Sequence, residues 1–155
     1  MNKEEYEEFY RMSFESMVSE LVREKRITVT EAQKETAREL DAMLPLGIDT
    51  RDNFLMSIID KQTSEQTGYI WTVHEYSDNI KQSFLCDLLI YEEHRRKGYA
   101  KQAIALIEDA ARAAGCVETV LFVSDDNTAA IALYEKCGYH FLREMNYGKY
   151  MKKIL

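Results

Sequence analysis

Apolar residues recur at three-and-four spacing through the first segment: Tyr6, Phe9, Tyr10, Phe14, Met17, Val18 and Leu21. Acids and arginines fill the other face, so the pattern predicts an amphipathic helix of about six turns. A break follows at KRITVT. Thr30 with Gln33 three residues on predicts a capping box for a second helix. Leu40, Met43 and Leu44 continue its apolar face, and Pro45 with Gly47 stops it. The period then changes. NFLMSII, Asn53 to Ile59, is strand-like. SEQTG reads as a turn with Gly68 as its permissive residue. YIWTVHEY, Tyr69 to Tyr76, is aromatic and β-branched, and predicts the partner strand of a hairpin. After SDN, the run FLCDLLIY, Phe84 to Tyr91, is nearly continuously apolar, as expected of a strand buried on both faces.

From Gly98 the spacing is helical again, with Ala100, Ile104, Ile107, Ala111 and Ala114 along one side and Gly115 as the stop. VETVLFVS, Val117 to Ser124, predicts another buried strand. TAAIALYEKC predicts a short helix ended by Gly138. YHFLREM and YMKKIL, flanking NYG, predict a closing hairpin. The order ααβββαβαββ is a mixed α/β sandwich (α+β mixed sheet), not a strictly alternating parallel fold. Leu88 to Ser124 contains a strand–helix–strand crossover, expected to be right-handed with parallel strands.

Composition narrows the class. A chain of 155 residues is expected to form one domain, residues 1–155, with one sizeable core. No apolar stretch approaches the roughly 20 residues of a membrane span. The start, MNKEEYEEFY, has acids where a signal peptide has a basic region and an apolar core, so a cytoplasmic protein is expected. Cys86, Cys116 and Cys137 lie in apolar segments and read as reduced thiols. His74, His94 and His140 show no metal-ligand spacing, so no metal is expected. A net charge of -7 argues against nucleic acid as a partner.

Against that acidic background, Arg95, Arg96, Lys97 and Lys101 fall within seven residues, where a strand passes into a helix. The first N–H groups of a helix have no internal partner, and the macrodipole is positive there. A phosphate at that end receives several N–H bonds at once. Gly98 and the small Ala100 leave room for close approach. A solvated basic turn has the same spacing, and neither G-x-x-x-x-G-K-[ST] nor G-x-G-x-x-G is present.

Arg95-x-x-Gly98-x-Ala100, after a buried strand, resembles the [RQ]-x-x-G-x-[GA] signature of the GCN5-related N-acetyltransferases. NTAAIALYEKCGYHF, Asn127 to Phe141, resembles that family's second signature, N-x-x-A-x-x-L-Y-E-x-x-G-F. The ordered pair is far more specific than either alone. The resemblance covers Asn53 to Leu155 well, and LPLGIDT, YIWTV and DLLIYEEHRRKGYAKQA are similar to a bacterial YycN-like branch. It implies a GNAT-like acyl-CoA N-acyltransferase fold, a central mixed sheet flanked by helices. The family usually starts with an edge strand, for which the helical pattern from Glu4 leaves no room.

The resemblance also implies acetyl-CoA as co-substrate and a primary amine on a small molecule or peptide as acceptor. The pyrophosphate would meet Arg95, Arg96, Lys97, Gly98, Tyr99, Ala100 and Lys101. The pantetheine would run along Leu88, Leu89 and Ile90. Asn127 would bond the cofactor arm, and Ala130 and Leu133 would line its apolar side. A backbone N–H near Leu89 or Ile90 would polarise the carbonyl. Tyr134 falls where the family places a hydroxyl near the sulfur; by spacing alone it is a core aromatic. The glutamate that some relatives use as base is replaced by Phe122. Asp87, the one charge in an apolar strand, is the candidate base or ammonium anchor, ahead of Glu75 and relayed water. Tyr69, Trp71 and Asp49 are candidates for the acceptor pocket, under the N-terminal helices and the LPLGIDT loop, although core aromatics and a plain connection explain them equally. A homodimer is an open expectation, since many relatives are dimers. A non-catalytic acyl-CoA-binding or regulatory domain is the alternative, and a generic nucleotide-phosphate binder a third reading.

Overall fold

Reciprocal capping boxes start the first two helices. In the computed structural model, which describes residues 1–155, Asn2 Oδ1 accepts the Glu5 N–H at 3.0 Å and Glu5 Oε2 accepts the Asn2 N–H at 2.6 Å. Helix α1 then runs Lys3–Lys25 and ends where Arg26 turns left-handed at φ 53°. Helix α2 spans Val29–Met43. Its cap is Thr28 with Glu31, two residues before the expected Thr30 and Gln33. Glu31 Oε2 accepts both the Thr28 N–H at 2.9 Å and its hydroxyl at 2.7 Å. The ionised acceptor makes the stronger box, which is why that register wins. Tyr10 OH donates to Asp41 Oδ1 at 3.3 Å, tying α1 to α2. These helices and the short turn Gly47–Asp49 lie in one compact unit, Met1–Leu55; Met56–Leu155 forms the other.

The strands are β1 (Asn53–Ile59), β2 (Gln66–Ser77), β3 (Ile80–Ile90), β4 (Glu118–Ser124), β5 (His140–Met145) and β6 (Gly148–Ile154). Helices α3 (Tyr99–Ala113) and α4 (Thr128–Lys136) interrupt them, giving the element order that the pattern predicts. The sheet order is β1-β2-β3-β4-β6-β5. β3 and β4 run parallel, while β2–β3, β4–β6 and β5–β6 are antiparallel. β3 starts four residues earlier than its apolar run. Ile80 to Ser83 are held by ladder pairing with Ser77 to His74, not by hydrophobicity.

Along α3, Ala103, Ile104, Ile107 and Ala111 are buried at three-and-four spacing. Ile104 and Ile107 pack with Ile70, Leu85, Leu121, Val123 and Met151 of the sheet and with Tyr134 and Tyr139. Each fully buried Leu or Ile contributes about 1.5–3 kcal/mol. Packing, more than propensity, therefore fixes α3 and sets its first residue at the mouth of the β3–β4 pair. Glu108 shares that buried face, where Lys153 Nζ of β6 donates to its Oε2 at 2.5 Å.

Candidate active site

The site begins with a fault in the sheet. Parallel pairing of β3 with β4 covers only Gln82 to Leu85 opposite Glu118 to Leu121. β3 continues to Ile90 and β4 to Ser124, but without each other. The pairing of β3 with β2 shows why. Trp71 faces Asp87 and Thr72 faces Leu85, so Cys86 is an extra residue in β3. Such a bulge bends its strand and increases the local twist. It also resets the side-chain alternation: Leu85 and Leu88, three apart, both meet the same core cluster. Past the bulge, β3 keeps β2 on one side and turns toward the gap an edge that β4 does not pair. Unpaired N–H and C=O groups are costly to bury without a partner, so this edge is suited to a ligand that carries amides.

The gap opens into a cavity of about 660 Å³. Leu88, Leu89 and Ile90 form one wall, and Ala129, Ala130, Ala132 and Leu133 of α4 form another. Arg95, Arg96, Gly98, Tyr99, Ala100 and Lys101 close the end. Arg95 Nε donates to Ile90 O at 3.0 Å, pinning the loop to the strand end. Arg96 at φ 64° and Gly98 at φ 88° are both left-handed. Alternation of this kind turns successive N–H groups toward one point, a concave anion nest. Gly98 precedes α3 as its cap and has no side-chain capping bond, so no side chain competes for the first-turn N–H groups. At Asn127, Oδ1 accepts the Ala130 N–H at 3.2 Å and caps α4, which leaves its amide NH₂ as a donor at the cavity wall.

Every candidate cofactor residue lines this cavity except Lys97, which lines a second cavity of about 870 Å³ on the other side of the α3 start. His94 and Lys136 also line the first cavity, and neither belongs to the motif positions that predict the site. The charge that closes the TAAIALYEK pattern is a sequence signal for Lys136; nothing in the sequence singles out His94.

Asp87 lies beside the bulge. Its Oδ2 accepts the Tyr69 hydroxyl at 3.1 Å, so one carboxylate oxygen has a fixed partner and the group stays in the strand. Tyr134 of α4 is buried in the core, with its ring 5.8 Å from that of Tyr139; unlike its neighbour Leu133 it is not part of the cavity wall. Burial, then the Asp87 charge, pushes its phenol well above the ordinary range. Asp87, 47 positions away in sequence, thus lies near enough for its charge to act on the Tyr134 phenol. Burial also drives the Cys86 thiol up, aided by Glu75 and Asp87, which leaves it a poor nucleophile. Tyr69 and Trp71 are buried in β2. Glu75 accepts from Gln82 Nε2 at 2.7 Å. Asp49 belongs to the short turn of the N-terminal unit. Phe122 packs against Tyr147 and Tyr150, at 5.7 and 5.4 Å.

Residues 14–139 match the model of the acetyltransferase (GNAT) family. The chain belongs to the GNAT family. It is 29% and 30% identical to the uncharacterised N-acetyltransferases YdgE and YycN of Bacillus subtilis (strain 168), in each case over 90% of this chain and 88% of the relative. A crystal structure of YycN matches with a TM-score of 0.85 at 28% identity, covering 94% of this chain and 92% of that one. A Thermoplasma acidophilum PaiA N-acetyltransferase, solved in complex with coenzyme A, shares the fold with a TM-score of 0.67 at 15% identity, over 96% and 94% of the two chains. The GNAT membership supports N-acetyltransferase activity. No helix is long and apolar enough to cross a membrane.

Proposed function

We propose that this GNAT protein moves an acetyl group from acetyl-CoA to a primary amine by direct attack within a ternary complex. The observation that carries the reading is that β3 runs on to Ile90 after its pairing with β4 ends at Leu85, opening into a cavity walled by both signature segments. The donor set suits a CoA. An apolar wall, a strand edge that β4 does not pair and a left-handed cationic loop match, in order, an acyl-pantetheine arm with two amides and a polyanionic head. Bound there, acetyl-CoA supplies an activated thioester.

In this reading Arg95, Arg96 and Lys101 balance the phosphate charge while the N–H groups from Arg96 to Lys101 give direction, and the Lys97 side chain, on the wall of the second cavity, takes no part. Leu88 to Ile90 pair with the pantetheine amides, and Asn127 donates its NH₂ to the same arm. A backbone N–H at Leu89 or Ile90 polarises the thioester carbonyl, as an oxyanion donor does. Asp87 takes a proton from the acceptor's ammonium, which frees the lone pair for attack. Tyr134 hands its proton to the departing sulfur and is restored by the second proton that the attacking nitrogen loses as it becomes an amide. A phenol shifted upward stays protonated at neutral pH, which a proton donor requires. In this reading the acceptor is an amine; solved structures of the same fold include a chimera of the Vibrio cholerae spermidine N-acetyltransferase SpeG and hSSAT.

The test is CoA-thiol release over a panel of polyamines, amino acids, aminoglycosides and peptides. Turnover with at least one amine is expected, and Tyr134→Phe should cut it by about 10²–10⁴-fold while sparing acetyl-CoA binding. Binding without turnover across the panel, unchanged by Tyr134→Phe, would make the chain an acyl-CoA-binding domain instead.

A further inference from the structure

One polar contact ties the basic loop to a distant turn. Tyr99 is the first residue of α3 and contributes to the walls of both cavities. Its hydroxyl donates to Asp60 Oδ2, across 39 positions of sequence. The other oxygen of Asp60 is occupied locally. Oδ1 accepts the N–H groups of Gln62 at 2.7 Å and Thr63 at 3.2 Å, closing the turn between β1 and β2. Asp60 therefore folds its own turn with one oxygen and grips α3 with the other. The Tyr99 bond, then the two turn N–H groups, hold the Asp60 carboxyl below its ordinary range, and Asp60 in turn pushes the Tyr99 phenol up. His94, also a cavity-wall residue, stands edge-on to Tyr99 with ring centroids 6.2 Å apart.

The loop needs such a grip. Helices α1, α2 and α4 each begin with a side-chain capping bond; α3 has none. Its N–H groups are left open for an anion, and Arg96 holds a left-handed φ of 64° that costs a non-glycine residue conformational energy. A loop in that condition loses freedom on binding unless something orders it beforehand. A bond from Tyr99 to a rigid turn does so without covering the N–H groups.

On the reading that this loop holds the cofactor's pyrophosphate, we propose that Asp60 is a positioning residue: through Tyr99 it preorganises the loop and the α3 start for the cofactor. The experiment is calorimetric titration with acetyl-CoA, and acetyl-CoA KM and kcat, for wild type, Asp60→Asn, Tyr99→Phe and the double variant. Asparagine keeps the Oδ1 acceptor, so the β1–β2 turn survives. Each single change should weaken acetyl-CoA by about three- to tenfold, the range for losing one ordinary hydrogen bond. KM for acetyl-CoA should rise by that factor while kcat holds. The double variant should be no weaker than the weaker single, because both changes remove one contact. Wild-type binding with unchanged affinity in Asp60→Asn would overturn this role alone, as would penalties that multiply in the double variant or a fall in kcat at constant KM. Failure of the wild type to bind acetyl-CoA would overturn the cofactor reading and this role with it.

Discussion

Replacing Gly68 with alanine tests how tightly the site depends on the sheet. Gly68 lies in β2 opposite Ile90. A methyl group there would stand 2.0 Å from the Leu89 carbonyl oxygen and 3.0 Å from Ile90 Cα. Real Cβ contacts do not fall below 3.0 Å, so β2 or β3 must give by roughly 1 Å. The obstacle is backbone, and backbone in a ladder cannot swing aside as a side chain can. Overpacking costs about 1–3 kcal/mol, and a disturbed ladder bond adds about 1 kcal/mol. Gly68→Ala is therefore expected to destabilise the protein by about 3 kcal/mol, roughly a hundredfold in the folding equilibrium. Urea unfolding measures this, with Gly115→Ala as the control. Gly115 has φ 83° and no atom within 4 Å of an added methyl, so only the left-handed backbone resists. That costs about 1–2 kcal/mol. Because the strand that must move carries Leu88 to Ile90, acetyl-CoA affinity should fall as well, in conditions where the variant is folded. A Gly68→Ala penalty no larger than that of Gly115→Ala would refute the steric reasoning.

Three further outcomes are expected. Lys153→Ala strands the buried Glu108 carboxylate, whose one ion-pair partner is 2.5 Å away, so stability to urea should drop by about 3 kcal/mol, at the low end for a broken buried pair because Lys153 is partly exposed; a loss under about 1 kcal/mol would mean that the pair does not matter. Asp87→Asn should abolish the acid limb of the kcat/KM profile with turnover strongly reduced; a limb left in place would make Asp87 an anchor for the ammonium. For Tyr134 the folded pKa lies above its ordinary value of 10.0, so its burial contributes full stability below about pH 10 and loses it as pH climbs further. Activity should show no alkaline loss due to Tyr134 below about pH 10, and a Tyr134-dependent limb near pH 8 would contradict its buried, protonated state.

The fold was largely legible because its signals are periodic and local. The face Ala103, Ile104, Ile107 and Ala111 announces α3, and the paired strands β3 and β4 announce the crossover. The loop was legible because glycine, cations and a helix start fall together. What escaped depends on pairs distant in sequence. The bulge at Cys86 exists only in the register between β2 and β3, since an extra residue in an apolar run has no local mark. The first four residues of β3 are polar-rich and owe their extended form to the hairpin partner. The nearness of Asp87 to Tyr134 and the Asp60–Tyr99 bond both arise from topology. Lys97 turns away from its neighbours because Arg96 and Gly98 are left-handed on either side of it, and a list of cations in one loop does not reveal that.

The most direct test is amide hydrogen exchange with and without saturating acetyl-CoA. Protection should rise within Leu88 to Ile90, at the positions whose N–H turns away from β2, and at Arg96 to Lys101, with little change along β4. Binding that leaves both segments unprotected, or protects instead the walls of the second cavity at Met56 to Ile59, would contradict the assignment of the cofactor to the open edge of β3.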